Sequence, residues 1–338
     1  MRIIFIGNGE IGLPALKKLA PEICCVVTAP DKPAGRGLKT FFTTVKTLAR
    51  SLNLPVLETA DINHPEIITK LKSYRPEIML VAAFGQMLKK TVLEIPEKGV
   101  FNIHPSLLPR YRGAAPVEHA ILNLEQETGV TIIAVTQQMD AGPILSQKKV
   151  AIRPDEDTPA LSQRLAEIGA ELAADSLRQV ERGTAVLTPQ NENMTTYAAK
   201  IAKGDGLIDW NKGATEIAAK VRAFIRWPRA YTYLPFTPLS PRQGKDNFSL
   251  SSSPRRGEDK GTGNKKILLM IWKAVPVNKK YPETTRPGTV LAVDKNGIEV
   301  ACGKDTLLLT ELQVAGKKRL PAEEFIRGIR FTENTVLG

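Results

Sequence analysis

Two segments carry residue types that can do chemistry: FNIHPSLLPRYRGAAP at 101–116 and QMDAGPI at 138–144. The chain has three histidines. His64 stands beside Pro65 in a polar stretch and reads as solvated. His119 falls in a helical pattern, as packing or surface. His104 closes an apolar run two residues after Asn102, so in a strand both side chains leave the same face. A histidine there is either an acid–base group or a satisfied structural one, and spacing does not choose. Asp140 ends another apolar run and opens a glycine turn. It can orient and charge the imidazole if the two strand ends are neighbours. A third candidate is GNGEIG, where Gly7, Gly9 and Gly12 meet the spacing of a dinucleotide loop, with Asp31 at the distance of a ribose partner. The competing reading, a tight turn beneath a helix start, is preferred because the second site is richer.

These residues need elements to place them. Apolar runs at 2–7, 23–29, 55–59, 78–84, 99–104 and 129–136 read as strands, and ILSQKKVAI at 144–152 is strand-like. Between them, 13–20, 45–53, 64–74 and 116–123 are helix-patterned, and 158–183 forms one long helical period. Buried strands alternating with amphipathic helices predict an α/β domain, Rossmann-like, with a mostly parallel sheet and helices on both faces. Ligands of such sheets lie beyond the carboxyl ends of the strands. Residues 184–205 are poor in apolar side chains and read as a linker. Beyond them a helix at 210–224 precedes short strands punctuated by turns, including the hairpin signal DKNG at 294–297. This pattern predicts a small β-barrel, OB-like, over 206–338. It is interrupted over 237–264 by a Ser-, Pro- and Gly-rich charged insertion, expected to be disordered.

The 338 residues carry a net charge of +12. Residues 206–338 hold 23 Lys and Arg against 13 Asp and Glu, and residues 1–205 hold 24 against 22. A basic second half beside a near-neutral first half points to an acidic partner, with nucleic acid as one candidate and plain solubility as the other reading. The three cysteines, Cys24, Cys25 and Cys302, cannot build a disulfide framework. No run reaches the roughly 20 apolar residues of a membrane span, and the start of the chain lacks the pattern of a signal peptide. A cytoplasmic protein that avoids membranes is expected.

FNIHPSLLPRYRGAAP with MDAGPIL resembles the signature of the 10-formyltetrahydrofolate-dependent formyltransferases. PDKPAGRG at 30–37, IDW at 208–210, RAFIRWPRA around Trp227 and PGTV…LQVAGKKRL are similar to the branch that formylates charged initiator tRNA. The resemblance runs from Met1 to about Arg330, apart from the insertion. It implies an enzyme that moves the formyl group of 10-formyltetrahydrofolate to the amino group of methionyl-initiator-tRNA for translation initiation, without a metal and as a monomer. The alternative is a formyltransferase for a small-molecule amine, such as a nucleotide sugar or ribonucleotide, which explains the first domain only.

The resemblance also implies roles. Asn102, His104 and Asp140 would be catalytic. An amine attacking a formyl carbon throws negative charge onto oxygen; Asn102 and a charged His104 can donate to that oxygen, and removal of one such donor costs ~100–1,000-fold. Asp140 would favour the imidazolium and help carry away the amine proton. Ser106, Leu107, Leu108 and Pro109 would contact the folate, with 81–88 as an apolar wall and the loop before Gly142 as cover. Ordinary core is the competing reading for the leucines. Arg36 would work from a mobile loop at the tRNA acceptor end, and Lys317, Lys318 and Arg319 would hold tRNA phosphates. The chain departs from the family at GNGEIG and at Ile225, where asparagine is usual; the latter leaves any role for that position in doubt.

Overall fold

The structure is a computed structural model that describes residues 1–34, 39–41, 43–235, 266–328 and 334–338. Its strands are β1 (Ile3–Gly7), β2 (Ile23–Thr28), β3 (Lys32–Ala34), β4 (Lys39–Phe41), β5 (Val56–Glu58), β6 (Ile78–Ala82), β7 (Val100–His104), β8 (Arg112–Gly113), β9 (Glu127–Ala134), β10 (Ile144–Ala151), β11 (Tyr197–Ala198), β12 (Ala230–Pro235), β13 (Lys266–Val277), β14 (Val290–Asp294), β15 (Gly297–Ala301), β16 (Thr306–Val314) and β17 (Leu320–Pro321). Its α-helices are α1 (Leu13–Lys18), α2 (Thr44–Ser51), α3 (Pro65–Ser73), α4 (Lys90–Leu93), α5 (Pro116–Leu122), α6 (Thr158–Glu181), α7 (Ala214–Ala223) and α8 (Ala322–Gly328). The chain divides into two compact units, one of Met1–Ala120 with Glu125–Lys200 and one of Ile121–Leu124 with Ile201–Gly338.

The first unit is the expected α/β domain. Its seven-stranded sheet has the order β10-β9-β7-β6-β1-β2-β5. The strands from β5 to β7 are parallel, and β9 and β10 are antiparallel to their neighbours. β1 and β6 are buried at every position, as the unbroken apolar runs require of strands covered on both faces. One face is sealed by a core that includes Ile4, Ile6, Val27, Leu71, Met79 and Val81. On α6, Gly169 is where the helix meets the sheet: a Cβ there would stand 2.9 Å from the Ile103 side chain.

The glycine turn after β1 serves packing. A Cβ on Gly12 would meet Phe5 at 2.8 Å and the Cβ of Ala82 at 2.9 Å. Asn8 ties three strand ends together, donating to Phe84 O at 2.6 Å and accepting from Ala29 N at 2.7 Å and Thr28 Oγ1 at 3.0 Å. Asp31, the residue at ribose-partner distance, is paired with buried Lys46 at 2.5 Å.

Of residues 184–205, expected to be a linker, 184–200 are built into the first unit and 201–205 belong to the second. Thr188 exchanges backbone hydrogen bonds with Ile144 at 2.7 and 2.8 Å, and β11 pairs in parallel with β8. The segment is held by hydrogen bonds instead of apolar burial, so its composition hides it. The division of the chain falls at Lys200–Ile201.

The second unit is the small antiparallel β-domain expected. Five strands follow the order β12-β13-β16-β15-β14, with β17 added to β16. Its core gathers Trp210, Ile217, Leu269, Val300, Leu309 and Phe325. β12 and α8 escaped the sequence reading. The predicted insertion 237–264 lies outside the described residues. β12 and β13 flank it in register, Pro235 opposite Lys266.

Candidate active site

β7 presents Asn102 half-buried and His104 buried. The two strand ends named in the sequence are not neighbours. β9 runs antiparallel to β7, and Val135 N donates to Val100 O at the opposite end of β7 from His104. Asp140 arrives instead on the connection between β9 and β10, which returns toward His104. Its Oδ2 lies 3.7 Å from His104 Nδ1 and accepts the Gly113 amide at 2.9 Å. The Asp140 backbone has φ +52°, in the left-handed region that Asp tolerates better than most residues.

The other imidazole nitrogen is also engaged. His104 Nε2 is 2.9 Å from Tyr111 O. A carbonyl only accepts, so Nε2 carries the hydrogen and donates. Nδ1 then holds the free lone pair in the neutral ring and gains the proton in the charged one. That nitrogen faces Asp140. Asn102 is different: among the described residues its side-chain amide has no hydrogen-bond partner. A half-buried amide with open donors, on the same strand face as an imidazole backed by a carboxylate, fits an acyl oxygen that gains charge.

The segment 106–113 is rigidly tied. Ser106 Oγ donates to Arg110 O at 2.7 Å, and the Ser106 carbonyl accepts from Thr131 Oγ1 at 2.6 Å. Ser106 and Leu108 are buried, so their side chains shape the loop and present no free surface. Leu107 and Pro109 are half-exposed, and Leu107 packs over Gly129, where a Cβ would come within 2.4 Å of it. Tyr111, at φ +63°, sends its hydroxyl to Glu125 at 2.6 Å, and Arg110 pairs with the same carboxylate. Of the expected apolar wall, Phe84 and Leu88 belong to the core, and Met87 is 50% exposed. Met139 is 53% exposed on the connection that carries Asp140.

His64 stands at the N-terminus of α3, and His119 Nε2 bonds Ala199 O at 3.0 Å. Arg36 lies outside the described residues. Lys317 and Lys318 border a cavity of about 230 Å³ together with Val314, Leu320 and Phe325. Arg319 is less free than expected. It forms a two-point pair with Glu311 at 2.5 and 2.6 Å and stacks on the Trp272 ring at 4.3 Å, as does Arg229. No group of metal-ligating side chains occurs among the described residues.

The model of the family described as formyl transferase matches residues 1–177, and that of the formyl transferase C-terminal domain matches residues 200–330. A methionyl-tRNA formyltransferase of Geobacter sulfurreducens is 37% identical over 341 residues, covering 100% of this chain and 97% of the relative. One of Methylacidiphilum infernorum is 38% identical over 343 residues, covering 100% and 98%. The chain belongs to the methionyl-tRNA formyltransferase family. The fold is shared more widely among formyltransferases. WlaRD, described as a sugar 3N-formyl transferase with dTDP and 5-N-formyl-THF present, superposes with a TM-score of 0.61 at 18% identity, covering 94% of this chain and 99% of that one. The N-formyltransferase of Helicobacter canadensis, in complex with folinic acid and dTDP-3-aminofucose, gives 0.60 at 17%, covering 91% and 98%.

In this formyltransferase three residues around the site escaped the sequence reading. They are Arg112, inside the 110–113 segment, and Gln190 and Thr196, which back it. Tyr111 N donates to Thr196 Oγ1 at 2.9 Å, and Arg112 N donates to Thr196 O at 2.9 Å. The buried Arg112 guanidinium donates to Gln190 and to Glu192. The Glu192 pair raises the Arg112 pKa further above its ordinary value and holds the Glu192 carboxyl below its own. The only signal available beforehand was an arginine inside the RYRG run.

Proposed function

We propose that this enzyme transfers the formyl group of 10-formyltetrahydrofolate to the amino group of methionyl-initiator-tRNA, with Asn102, His104 and Asp140 as its reacting set. The observation that carries this reading is the 3.7 Å approach of Asp140 Oδ2 to His104 Nδ1 in a family member matched along its whole length. The attacking amine bonds to the formyl carbon of 10-formyltetrahydrofolate, the bond from that carbon to N10 breaks, and tetrahydrofolate leaves with a proton on N10 that balances the one the amine gives up. Asn102 donates its free amide to the formyl oxygen and stabilises the charge that gathers there. His104, fixed by the Tyr111 carbonyl, holds or releases a proton at Nδ1. Asp140 balances the imidazolium and takes up the proton that the attacking amine loses, directly or through one water.

Leu107 and Pro109 offer the folate their half-exposed side chains. Buried Ser106 and Leu108 contribute by shaping the same loop. Lys317 and Lys318, with Arg36, contact the tRNA. Arg319 adds charge to this surface from its place on Trp272. On this reading the enzyme works as a cytoplasmic monomer. Incubation of the pure protein with 10-formyltetrahydrofolate and charged initiator tRNA tests the reading. Formylmethionyl-tRNA is the expected product. Formylation of a nucleotide sugar or ribonucleotide amine instead, with none on tRNA, would overturn it.

A further inference from the structure

We infer that Gln190 is a positioning residue for Asp140, and that Arg112 sets its orientation for that task. The inference rests on Asp140 belonging to the reacting set. Gln190 Nε2 donates to Asp140 O at 2.8 Å and to Gly142 O at 2.7 Å. Gln190 Oε1 accepts from Arg112 Nε at 3.1 Å and from Nη2 at 2.8 Å. A guanidinium only donates and a carbonyl only accepts, so one amide orientation alone satisfies all these bonds. Glutamine is therefore chemically required: it must accept on one side and donate on the other. Arg112 has little freedom to turn. It is 3% exposed, its backbone is paired with β11, and Glu192 takes the other side of its guanidinium at 2.8 and 3.0 Å.

The stretch that Gln190 grips needs an outside hold. Asp140 sits at φ +52°, and Gly142 packs so tightly on β9 that a Cβ would fall 1.7 Å from Ala134 O. The Asp140 side chain makes one hydrogen bond, to Gly113 N, and stands 3.7 Å from His104. That spacing is a charge contact without a hydrogen bond to fix it, so backbone placement governs it. Tyr111 O fixes His104 on one side, and Gln190 fixes the Asp140 backbone on the other. Gln190 touches no reacting atom, and its effect travels through Asp140.

Two variants test this. Gln190→Glu keeps the size and still pairs with Arg112, but turns an oxygen toward the two carbonyls. Gln190→Ala removes the link altogether. Both are expected to lower kcat about 10–100-fold, the cost of a misplaced reacting group, with KM for folate and tRNA changed by no more than about threefold. In Gln190→Glu the added negative charge should also move the acidic limb of the kcat/KM profile to higher pH. Thermal unfolding gives the folded fraction of each variant. A Gln190→Glu enzyme with wild-type kcat would overturn the inference, as would losses that vanish when rates are expressed per folded molecule. Asp140→Asn is run in parallel. If that variant turns over normally, the assignment of Asp140 has failed; if it is inactive while Gln190→Glu is normal, only the positioning role has.

Discussion

The Tyr111 carbonyl sits 2.9 Å from His104 Nε2, so Nε2 carries a hydrogen toward it and Nδ1 is the nitrogen left to face Asp140. The carbonyl is itself held by the Glu125 contact of the Tyr111 ring and by Thr196 at the Tyr111 amide. The imidazole therefore meets Asp140 with one edge already committed.

From this geometry His104→Ala should lower turnover by orders of magnitude while tRNA binding and cooperative unfolding persist. Asn102→Ala, which removes the proposed oxyanion donor, should cost about 100–1,000-fold in kcat. Steady-state kinetics on the pure variants check both, and near-normal turnover of His104→Ala would remove it from the mechanism.

Arg112→Met should destabilise the first unit by about 1–3 kcal/mol, because the Gln190 amide oxygen loses its donors. The mutant should also respond differently to acid. In the wild type Glu192 is held below its ordinary value by Arg112. Its contribution is present above the unfolded carboxylate pKa and is lost as pH falls through the lower folded one. Urea titrations between neutral pH and pH 3 should show a shallower acid loss in Arg112→Met.

Pro235 and Lys266 are paired across β12 and β13, so the chain between them can be replaced by a two-residue turn. Exchange of 236–265 for Asn-Gly, the favoured type I′ pair, should leave folding and formylation nearly unchanged. Loss of the cooperative transition in calorimetry would show that the excised residues are needed.

Arg36 and the tail lysines should separate in their effects. Arg36→Ala should slow formylation strongly and leave folate binding alone, with Lys a poor substitute for the guanidinium fork. Neutralising Lys317 and Lys318 should weaken tRNA binding generally and reduce the slope of log K against log salt by roughly one per lost phosphate contact. Filter binding across salt concentrations, beside single-turnover rates, distinguishes the two.

Two of the three cysteines, the buried Cys25 and Cys302, should be inert. Burial pushes the Cys25 thiol up to about 11 and Cys302 up to about 12. Both should resist iodoacetamide at pH 8 until denaturant is added, as read by mass spectrometry; prompt labelling of either would contradict their burial.

Some of this was legible in the sequence because it is written in local pattern. Unbroken apolar runs identify buried parallel strands, and a helical period identifies α6. Asn102 and His104 share a strand face by the two-residue repeat alone. FNIH and MDAG point to a formyltransferase by their resemblance to that family's signature. The tertiary structure decided what depends on distance in space. Asp140 reaches His104 along a returning connection, although the ends of β7 and β9 lie apart. Ser106 and Leu108 turn inward to hold the loop, which burial decides and composition does not. The stretch 184–200 reads as linker because it is poor in apolar residues. It is fixed by backbone ladders and by Arg112, Gln190 and Thr196, whose partners lie roughly 50 to 85 residues away. Hydrogen bonds between segments so distant leave no periodicity in either one, and only the folded chain brings them together.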